Sequence, residues 1–278
     1  MGRMLIFGMG YTATRLATTL RARGWAVTGT TRDGRGDTIA FEDGDRVAAA
    51  LATATHVLSS VPPGEAGDPV LDHYGAMFRA DQWLGYLSST GVYGDAGGAW
   101  VDESAPTGSG RRQARARADA EWLARDASVF RLPGIYGPGR SPLDRVLAGQ
   151  AHRVDAPGQV FSRVHVGDIV SGVIAGMGAP AGAYNLADDR PASQNEVIAF
   201  AARLLGLEPP RFTTLDRLSP AARAFYAENR RVANGKAKRV LDWAPAYRDY
   251  RAGLRALKAM TSPISVSTPP PAASGVQR

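Results

Sequence analysis

Residues 3–31, RMLIFGMGYTATRLATTLRARGWAVTGTT, decide the predicted fold. Arg3–Phe7 is a short run of strand-forming apolar residues that stops at a glycine-rich loop. Tyr11–Arg23 has the composition of a helix that ends at Gly24, and Trp25–Thr31 has that of a second strand. This strand–loop–helix–strand order within about 30 residues predicts one βαβ unit of a parallel sheet.

The loop of this unit, GMGYTA at Gly8–Ala13, matches the pattern G-x-G-x-x-G/A between a strand and a helix. Gly8 permits the tight turn, Gly10 lets the backbone approach a diphosphate, and Ala13 keeps the helix close to the sheet. The start of the helix offers free amides and a partial positive charge to phosphates. The pattern therefore predicts a dinucleotide site, and the alternative is a tight turn that binds no ligand.

The end of the second strand indicates which dinucleotide is bound. An acidic residue at this position would bind the ribose 2′-hydroxyl of NAD. The chain instead has Thr30, Thr31 and Arg32, and Asp33 follows one position later. Because an arginine can make a bidentate contact with a 2′-phosphate, NADP is favoured over NAD. The alternative for Arg32 is an exposed loop arginine.

The alternation of strands and helices continues along the first half of the chain. Strands are predicted at His56–Val61, Trp83–Ser88 and Ser128–Leu132, with helices at Val47–Ala54 and Ala114–Ala127. This order predicts an α/β fold, a Rossmann-type doubly wound parallel sheet with helices on both faces.

A smaller C-terminal part is predicted to bind the substrate. We expect residues 1–140 to form the dinucleotide-binding core, rejoined by about 160–178, and 141–159 with 179–260 to form the substrate-binding subdomain. Further helices are predicted at Pro142–Ala148, Val166–Met177, Gln194–Leu205, Pro220–Asn229 and Tyr250–Met260. The proline- and serine-rich segment Thr261–Arg278 is expected to be a disordered tail.

Composition excludes several classes of function. The 278 residues contain no cysteine and four histidines, His56, His73, His152 and His165, without close ligand spacing, so we expect no metal site. No apolar stretch approaches the length of a membrane helix and no signal peptide is evident, so we expect a cytoplasmic protein, monomeric or homodimeric. The net charge of +7 is the only feature that would favour nucleic acid, and no nucleic-acid-binding motif accompanies it.

Four later motifs follow the glycine loop in a fixed order. They are LSSTGVYG at Leu87–Gly94, RLPGIYGPGR at Arg131–Arg140, RVHVGDIV at Arg163–Val170 and YNLADD at Tyr184–Asp189. Together with the loop they resemble the extended short-chain dehydrogenase/reductase superfamily, the sugar-nucleotide epimerases and dehydratases. The resemblance covers roughly residues 3–260. The G-x-G-x-x-A spacing departs from the TGxxGxxG loop usual there and is closer to an atypical, epimerase-like subgroup.

The resemblance implies a serine or threonine and a YxxxK pair as the catalytic groups. Ser89 falls at the hydroxyl position, counted back from VYG. Alignment of the helix on Glu121 places Gln113 at the tyrosine and Arg117 at the lysine, and no YxxxK occurs in the chain. The alternative for Gln113 and Arg117 is an ordinary exposed helix face. Glutamine cannot exchange a proton near neutral pH. Tyr93 is the nearest alternative acid, although a packed loop aromatic is the commoner role for such a residue.

The glycine-loop pattern and the resemblance together imply a set of cofactor contacts. The expected cofactor-binding residues are Gly8, Gly10, Tyr11, Thr12, Ala13, Thr31, Arg32, Ser59, Ser88, Pro133 and Ile135. The resemblance assigns His165 to the join between the two parts and makes Asp168 a helix-start or packing residue. Two functions stay open: an NADP-dependent oxidoreductase or epimerase acting on a small molecule such as a sugar nucleotide, and a non-catalytic NADP-binding protein. The missing tyrosine favours the second, whereas Ser89 and the VYG loop favour the first.

Overall fold

The computed structural model describes residues 2–110 and 113–261. The strands are β1 (Arg3–Phe7), β2 (Ala26–Thr31), β3 (Ile39–Ala40), β4 (His56–Ser59), β5 (Trp83–Ser89), β6 (Trp100–Val101), β7 (Ser128–Leu132), β8 (Gly134–Tyr136), β9 (Arg153–Val154), β10 (Arg163–His165), β11 (Gly182–Asn185), β12 (Phe212–Thr213) and β13 (Arg231–Val232). The helices are α1 (Tyr11–Ala22), α2 (Gly44–Thr53), α3 (Pro69–Tyr74), α4 (Gln113–Leu123), α5 (Pro142–Leu147), α6 (Val166–Gly176), α7 (Gln194–Leu204), α8 (Pro220–Tyr226), α9 (Gly235–Val240) and α10 (Tyr250–Thr261).

Seven strands form one parallel sheet in the order β11-β7-β5-β4-β1-β2-β3. The chain runs outward from β1 to β2 and β3, then returns to β4 on the other side of β1. This reversal between β1 and β4 is the topological switch point at which open α/β sheets bind ligands. The predicted doubly wound Rossmann-type fold is confirmed.

The central strand β1 shows why the sheet carries helices on both faces. Met4 and Ile6 point into the core shared with α1 and α6, and Leu5 and Phe7 point into the core shared with α2, α3 and α4. All four side chains are at most 2% exposed. An apolar run that alternates between two buried faces is what a strand inside a parallel sheet requires.

The smaller part packs around a third apolar core. Helices α5, α7 and α10 supply most of it, and Tyr136 at the end of β8 joins them. Of the parallel two-stranded pairs, β6 with β13 connects this part to the sheet part, β9 with β12 lies within this part, and β8 pairs with β10. The smaller part therefore lies beside the carboxyl edge of the main sheet.

The main sheet takes one strand from the range predicted for the smaller part. Gly182–Asn185 was expected in the subdomain, but β11 pairs with β7 as the edge strand of the main sheet. The segment is only four residues long, and its Gly, Ala and Asn are disfavoured in strands, so tertiary pairing decides its conformation.

The ends of the described chain bear on two further predictions. The predicted tail lies outside the described residues apart from Thr261, at which α10 ends. Among the described residues, no helix combines the length and the apolar composition needed to cross a membrane.

Candidate functional site

A cleft of about 1170 Å³ opens along the carboxyl edge of the sheet. The loops after β1, β4, β5 and β7 line one wall through Gly10, Ser60, Ser89 and Pro133. The smaller part lines the other wall through α5, α8 and the segments around β10 and β13. The cleft therefore spans the switch point and joins it to the predicted substrate-binding part.

The glycine loop has the backbone that the sequence predicted. Gly8 has a φ of +85°, a conformation that L side chains rarely adopt, and its amide donates to Thr30 Oγ1 at 3.2 Å. A Cβ added to Gly10 would meet no atom of the described residues within 4 Å. Open space therefore lies over Gly10, on the side that faces the cleft, as close approach of a ligand to the backbone requires.

The first turn of α1 faces this open space. Gly10 is the N-cap, and within the described residues no side chain caps the helix and no acidic residue lies in its first turn. Tyr11 and Thr12 line the cleft, whereas Ala13 is fully buried against the sheet. The Tyr11 hydroxyl donates to the Pro138 carbonyl at 3.1 Å. The backbone amides of the first turn are thus available to an anion.

The loop after β2 holds the residues expected at the adenosine ribose. Arg32 is exposed directly after the strand. The Thr31 hydroxyl lies 2.7 Å from the Thr38 hydroxyl and accepts the Arg35 amide at 3.2 Å. The Thr31 hydroxyl therefore orders the loop itself, whereas Arg32 is exposed and is not among the residues that line the cleft.

The two serines at the end of β5 differ in their contacts. Ser88 is buried, and its hydroxyl donates to Asp119 Oδ2 at 2.6 Å. Ser89 is half-buried in the cleft wall, and its Oγ accepts the Gly91 amide at 3.1 Å. Within residues 2–110 and 113–261 no group accepts the Ser89 hydroxyl proton, whereas the Ser88 proton is donated to Asp119.

Tyr93 lies in a buried polar network behind the cleft wall. Its hydroxyl donates to Asn185 Oδ1 at 2.8 Å and accepts from Arg131 Nη1 at 3.0 Å. Burial raises the pKa of Tyr93 to about 12, against the opposing effect of Arg131. Tyr93 does not line the cleft. These contacts fit the packing role better than the role of an acid.

The residues of α4 that face the cleft are not the ones that the alignment on Glu121 places there. Gln113 is the exposed first residue of α4, and Arg117 points outward to donate to the Glu65 carbonyl at 2.9 Å. Neither lines the cleft, whereas Arg115 does. Positions 113 and 117 share one side of the helix, and position 115 lies on the opposite side.

A signal for this orientation was present in the sequence. Trp122 is the large apolar residue of α4 and is fully buried. Counting back by helical spacing from Trp122 gives Asp119 and then Arg115 on the same face. The buried tryptophan, rather than the alignment on Glu121, indicates which arginine faces inward.

Of the remaining residues predicted to contact the cofactor, two line the cleft wall and one is buried in the core. Pro133 and Ile135 line the cleft, and the neighbouring Gly134 amide is fixed by the Ser162 carbonyl at 3.2 Å. Ser59 is fully buried in β4 and its Oγ accepts the Val61 amide at 3.4 Å. Ser60, one residue later, lines the cleft in its place.

His165 caps the start of α6, and Asp168 joins this helix to the C-terminal segment. His165 Nδ1 accepts the Gly167 amide at the start of α6, and burial, with a smaller contribution from Arg15, lowers the pKa of His165 to about 4. The Asp168 carboxylate accepts the amides of Ala246 and Tyr247. These bonds agree with the predicted structural role of both residues.

Arginines dominate the charged groups of the cleft. Arg140 and Arg145 are exposed at its wall, and Arg230 lies deeper, where it pairs with Glu228 at 2.9 Å. The buried Arg163 donates instead to carbonyl groups of its own part. The cleft therefore carries a positive surplus that favours an anionic ligand.

Asp188 is a buried carboxyl group next to the positively charged arginines of the cleft. It is 2% exposed, its Oδ1 accepts the Arg190 amide, and its Oδ2 has no hydrogen-bond partner among the described residues. Burial raises the pKa of Asp188 from 3.8 to about 8, against the opposing effects of the Arg190 amide and Arg163. Asp188 is therefore largely protonated at neutral pH.

The raised pKa predicts a pH-dependent stability. The folded protein holds the Asp188 proton more tightly than the unfolded chain, so this contribution is fully present below about pH 4 and is lost as the pH rises through about 8. Chemical denaturation at several pH values should show that Asp188→Asn gains stability relative to the unmodified protein as the pH rises.

Asp189 provides the control for this experiment. Burial alone would raise its pKa, but hydrogen bonds from Asn234 and Lys238 outweigh burial and leave the pKa lowered. The stability of Asp189→Asn relative to the unmodified protein should therefore fall as the pH rises, which is opposite to the change expected for Asp188→Asn. A stability difference for Asp188→Asn that does not change with pH would contradict the assignment.

Comparisons with known proteins agree with this geometry. No protein-family model matches the sequence. Protein YeeZ of Escherichia coli K12 is 31% identical over 244 residues, which cover 76% of this chain and 87% of YeeZ. A functionally unknown conserved protein from Silicibacter pomeroyi is 41% identical with a TM-score of 0.83, over 94% of this chain and 99% of that one.

A more distant structure shows the fold alone. MoeE5, in complex with UDP-glucuronic acid and NAD, is 20% identical with a TM-score of 0.75, over 94% of this chain and 99% of MoeE5. The strand order, the glycine loop and the cleft at the switch point match the expected superfamily. The chain therefore belongs to the family of YeeZ and has the fold of the extended short-chain dehydrogenase/reductase superfamily.

Proposed function

We propose that the chain binds NADP along the carboxyl edge of the sheet and acts as an NADP-dependent oxidoreductase or epimerase-like enzyme. The observation that carries the proposal is the open space over Gly10 at the uncapped start of α1, inside the cleft that continues to Ser89. A diphosphate fits this donor set, because the amides and the helix dipole both favour negative charge.

Arg32 is the basis for proposing NADP over NAD. Its exposed guanidinium follows β2, where the adenosine ribose is expected, and it can bind a 2′-phosphate through two parallel hydrogen bonds. NAD is the alternative, and the MoeE5 structure is a complex with UDP-glucuronic acid and NAD. In this proposal, the loop after β2 decides between NADP and NAD.

The substrate is proposed to be a small anionic molecule such as a sugar nucleotide. The exposed Arg140 and Arg145 of the far wall would attract its negative charge, and Ser89 would donate a hydrogen bond to the oxygen at the reacting carbon. The bound dinucleotide would supply hydride transfer at the nicotinamide ring. The chain would orient the two molecules and exclude water between its two parts.

A non-catalytic NADP-binding protein is the second candidate. Gln113 lies outside the cleft and Tyr93 is buried between Arg131 and Asn185, so neither offers a proton at the wall. The two candidates share the cofactor site and differ in turnover. Oxidation of NADPH by sugar nucleotides that carry a carbonyl group would favour the enzyme.

Arg32→Ala tests the proposed cofactor preference. We expect the unmodified protein to bind NADPH at least about tenfold more tightly than NADH, or about 1.4 kcal/mol, as one well-placed arginine–phosphate contact provides. The variant should lose most of the difference while its affinity for NADH stays the same. Fluorescence titration measures both constants, and equal affinities in the unmodified protein would exclude the NADP assignment.

A further inference from the structure

Arg140 is an exposed arginine that lies beside the start of α1. Its guanidinium carbon is 5.5 Å from the centre of the Tyr11 ring, and Tyr11 is the first residue of α1. Gly10, Tyr11 and Arg140 all line the cleft. A cation therefore lies next to the uncapped helix start, although it comes from the turn that leads from β8 into α5 of the smaller part.

The turn that carries Arg140 is fixed to α1 at several points. Backbone hydrogen bonds join Gly137 and Arg140 in both directions, at 3.0 and 3.2 Å. The Pro138 carbonyl accepts the Tyr11 hydroxyl at 3.1 Å and Arg15 Nη2 at 3.0 Å. A Cβ added at Gly137 would lie 2.7 Å from the Tyr11 hydroxyl, so the turn packs directly against the helix start. The backbone of Arg140 is thus held in place before any ligand binds.

The guanidinium of Arg140 has no polar partner among the described residues. Its side chain makes no hydrogen bond and no ion pair there, and the contact with the Tyr11 ring leaves its donors free. Arg15, the other arginine at this ring, differs: it lies 3.7 Å from the ring centre and donates to the carbonyl groups of Tyr11 and Pro138. Arg15 therefore supports the turn, whereas Arg140 keeps its N–H donors for a ligand.

The charge of Arg140 acts on the start of α1. Burial raises the pKa of Tyr11, and the charges of Arg15 and then Arg140 oppose that rise. Asp144 also acts on Tyr11, but its carboxylate is used to cap α5, where it accepts the Ser141 amide at 2.7 Å and the Ser141 hydroxyl at 2.8 Å. The positive potential of Arg140 therefore adds to that of the helix start.

We propose that Arg140 binds the diphosphate of the cofactor, which is then held from two sides, by the amides at the start of α1 and by this guanidinium. The assignment rests on the proposed function, because it requires a dinucleotide at Gly10. A guanidinium binds phosphate oxygens through two parallel hydrogen bonds, and the Tyr11 ring orients Arg140 for this contact. The bound dinucleotide joins α1 to the segment that enters the smaller part, and Arg145 remains for the substrate.

NADPH and NADH separate this contact from that of Arg32, because the two dinucleotides share the diphosphate and differ in the 2′-phosphate. We expect Arg140→Ala to bind both at least about threefold more weakly and by the same factor, as one exposed charged contact provides. Arg32→Ala should instead weaken NADPH alone. Arg140→Lys should bind with intermediate affinity, because it keeps the charge and loses the fork. Calorimetric titration measures each constant without a substrate or turnover.

Arg203→Ala is the matched comparison for the change in net charge. Arg203 is an exposed arginine in the last turn of α7 and does not line the cleft. This variant should bind both dinucleotides within about twofold of the unmodified protein. The melting temperature of ligand-free Arg140→Ala should stay within a few degrees of that of the unmodified protein, because an exposed side chain without a polar partner is removed.

Three results would overturn the assignment. The first is a loss in Arg140→Ala of less than about threefold for both dinucleotides. The second is a loss for NADPH alone, which would place Arg140 at the 2′-phosphate. The third is an equal loss in Arg140→Ala and Arg140→Lys with a fall of several degrees in the melting temperature of both ligand-free variants, which would mean that Arg140 acts only on the fold. Failure of the unmodified protein to bind either dinucleotide would instead contradict the proposed function, and the assignment with it.

Discussion

Asp119→Ala should lower the free energy of unfolding by about 3–5 kcal/mol. Asp119 and Arg131 form a buried ion pair at 2.7 Å, with side chains 2% and 4% exposed. Arg131 also donates to Tyr93, and Asp119 also accepts from Ser88. Removal of the carboxylate leaves a buried guanidinium without its counter-charge and the Ser88 hydroxyl without its acceptor. Urea denaturation monitored by circular dichroism measures the change.

Asp81→Ala is the control for this prediction. Asp81 pairs with Arg79 at 3.0 Å, but its side chain is 74% exposed. An exposed pair contributes at most about 1 kcal/mol, so the control should change the free energy of unfolding by no more than that. An effect of Asp119→Ala as small as that of Asp81→Ala would show that the network does not support the end of β5.

Gly10→Val should abolish cofactor binding and leave the fold intact. The Gly10 backbone has a φ of −87°, which valine adopts without strain, and the space over it is open within the described residues. The added side chain would occupy the space that a diphosphate needs in front of α1. Titration with NADPH should show no saturation, while the melting temperature changes by no more than a few degrees.

Gly44→Val is the matched control for the glycine loop. Gly44 begins α2, and a Cβ there also meets no described atom within 4 Å. This variant should bind NADPH as the unmodified protein does. Normal binding by Gly10→Val would mean that the loop is a turn without a ligand.

The sequence predicts the start of the sheet well because β1 carries two signals. The β1 run is apolar on both faces and is followed by a glycine that needs a positive φ. Gly24, predicted to end α1, has a φ of +80°. The short strands from β8 to β13 carry no such pattern, because two to four residues form strands only where a partner is already in place.

The candidate site is predicted less completely than the fold. The glycine loop and Ser89 face the cleft as expected, because local backbone geometry places them. Tyr93 and Ser88 lie at positions where a buried partner, Arg131 or Asp119, decides the contacts of the hydroxyl. No local pattern reveals a partner that comes from another strand or helix.

The helix that carries Arg115 shows how an alignment can mislead. The alignment with the family motif counted residues back from Glu121. The burial of Trp122 shows instead how α4 is rotated about its axis. Because successive residues on a helix differ by about 100° in direction, an error of two positions exchanges the inner and outer faces. The aligned Arg117 lies outside the cleft, and Arg115 lines it.

The central claim is that the chain binds NADP in the cleft at the switch point. The most direct test is an equilibrium titration of the unmodified protein with NADPH and, separately, with NADH. The account predicts saturable binding of one NADPH per chain, at least about tenfold tighter than NADH. Absence of NADPH binding up to about 1 mM would contradict it.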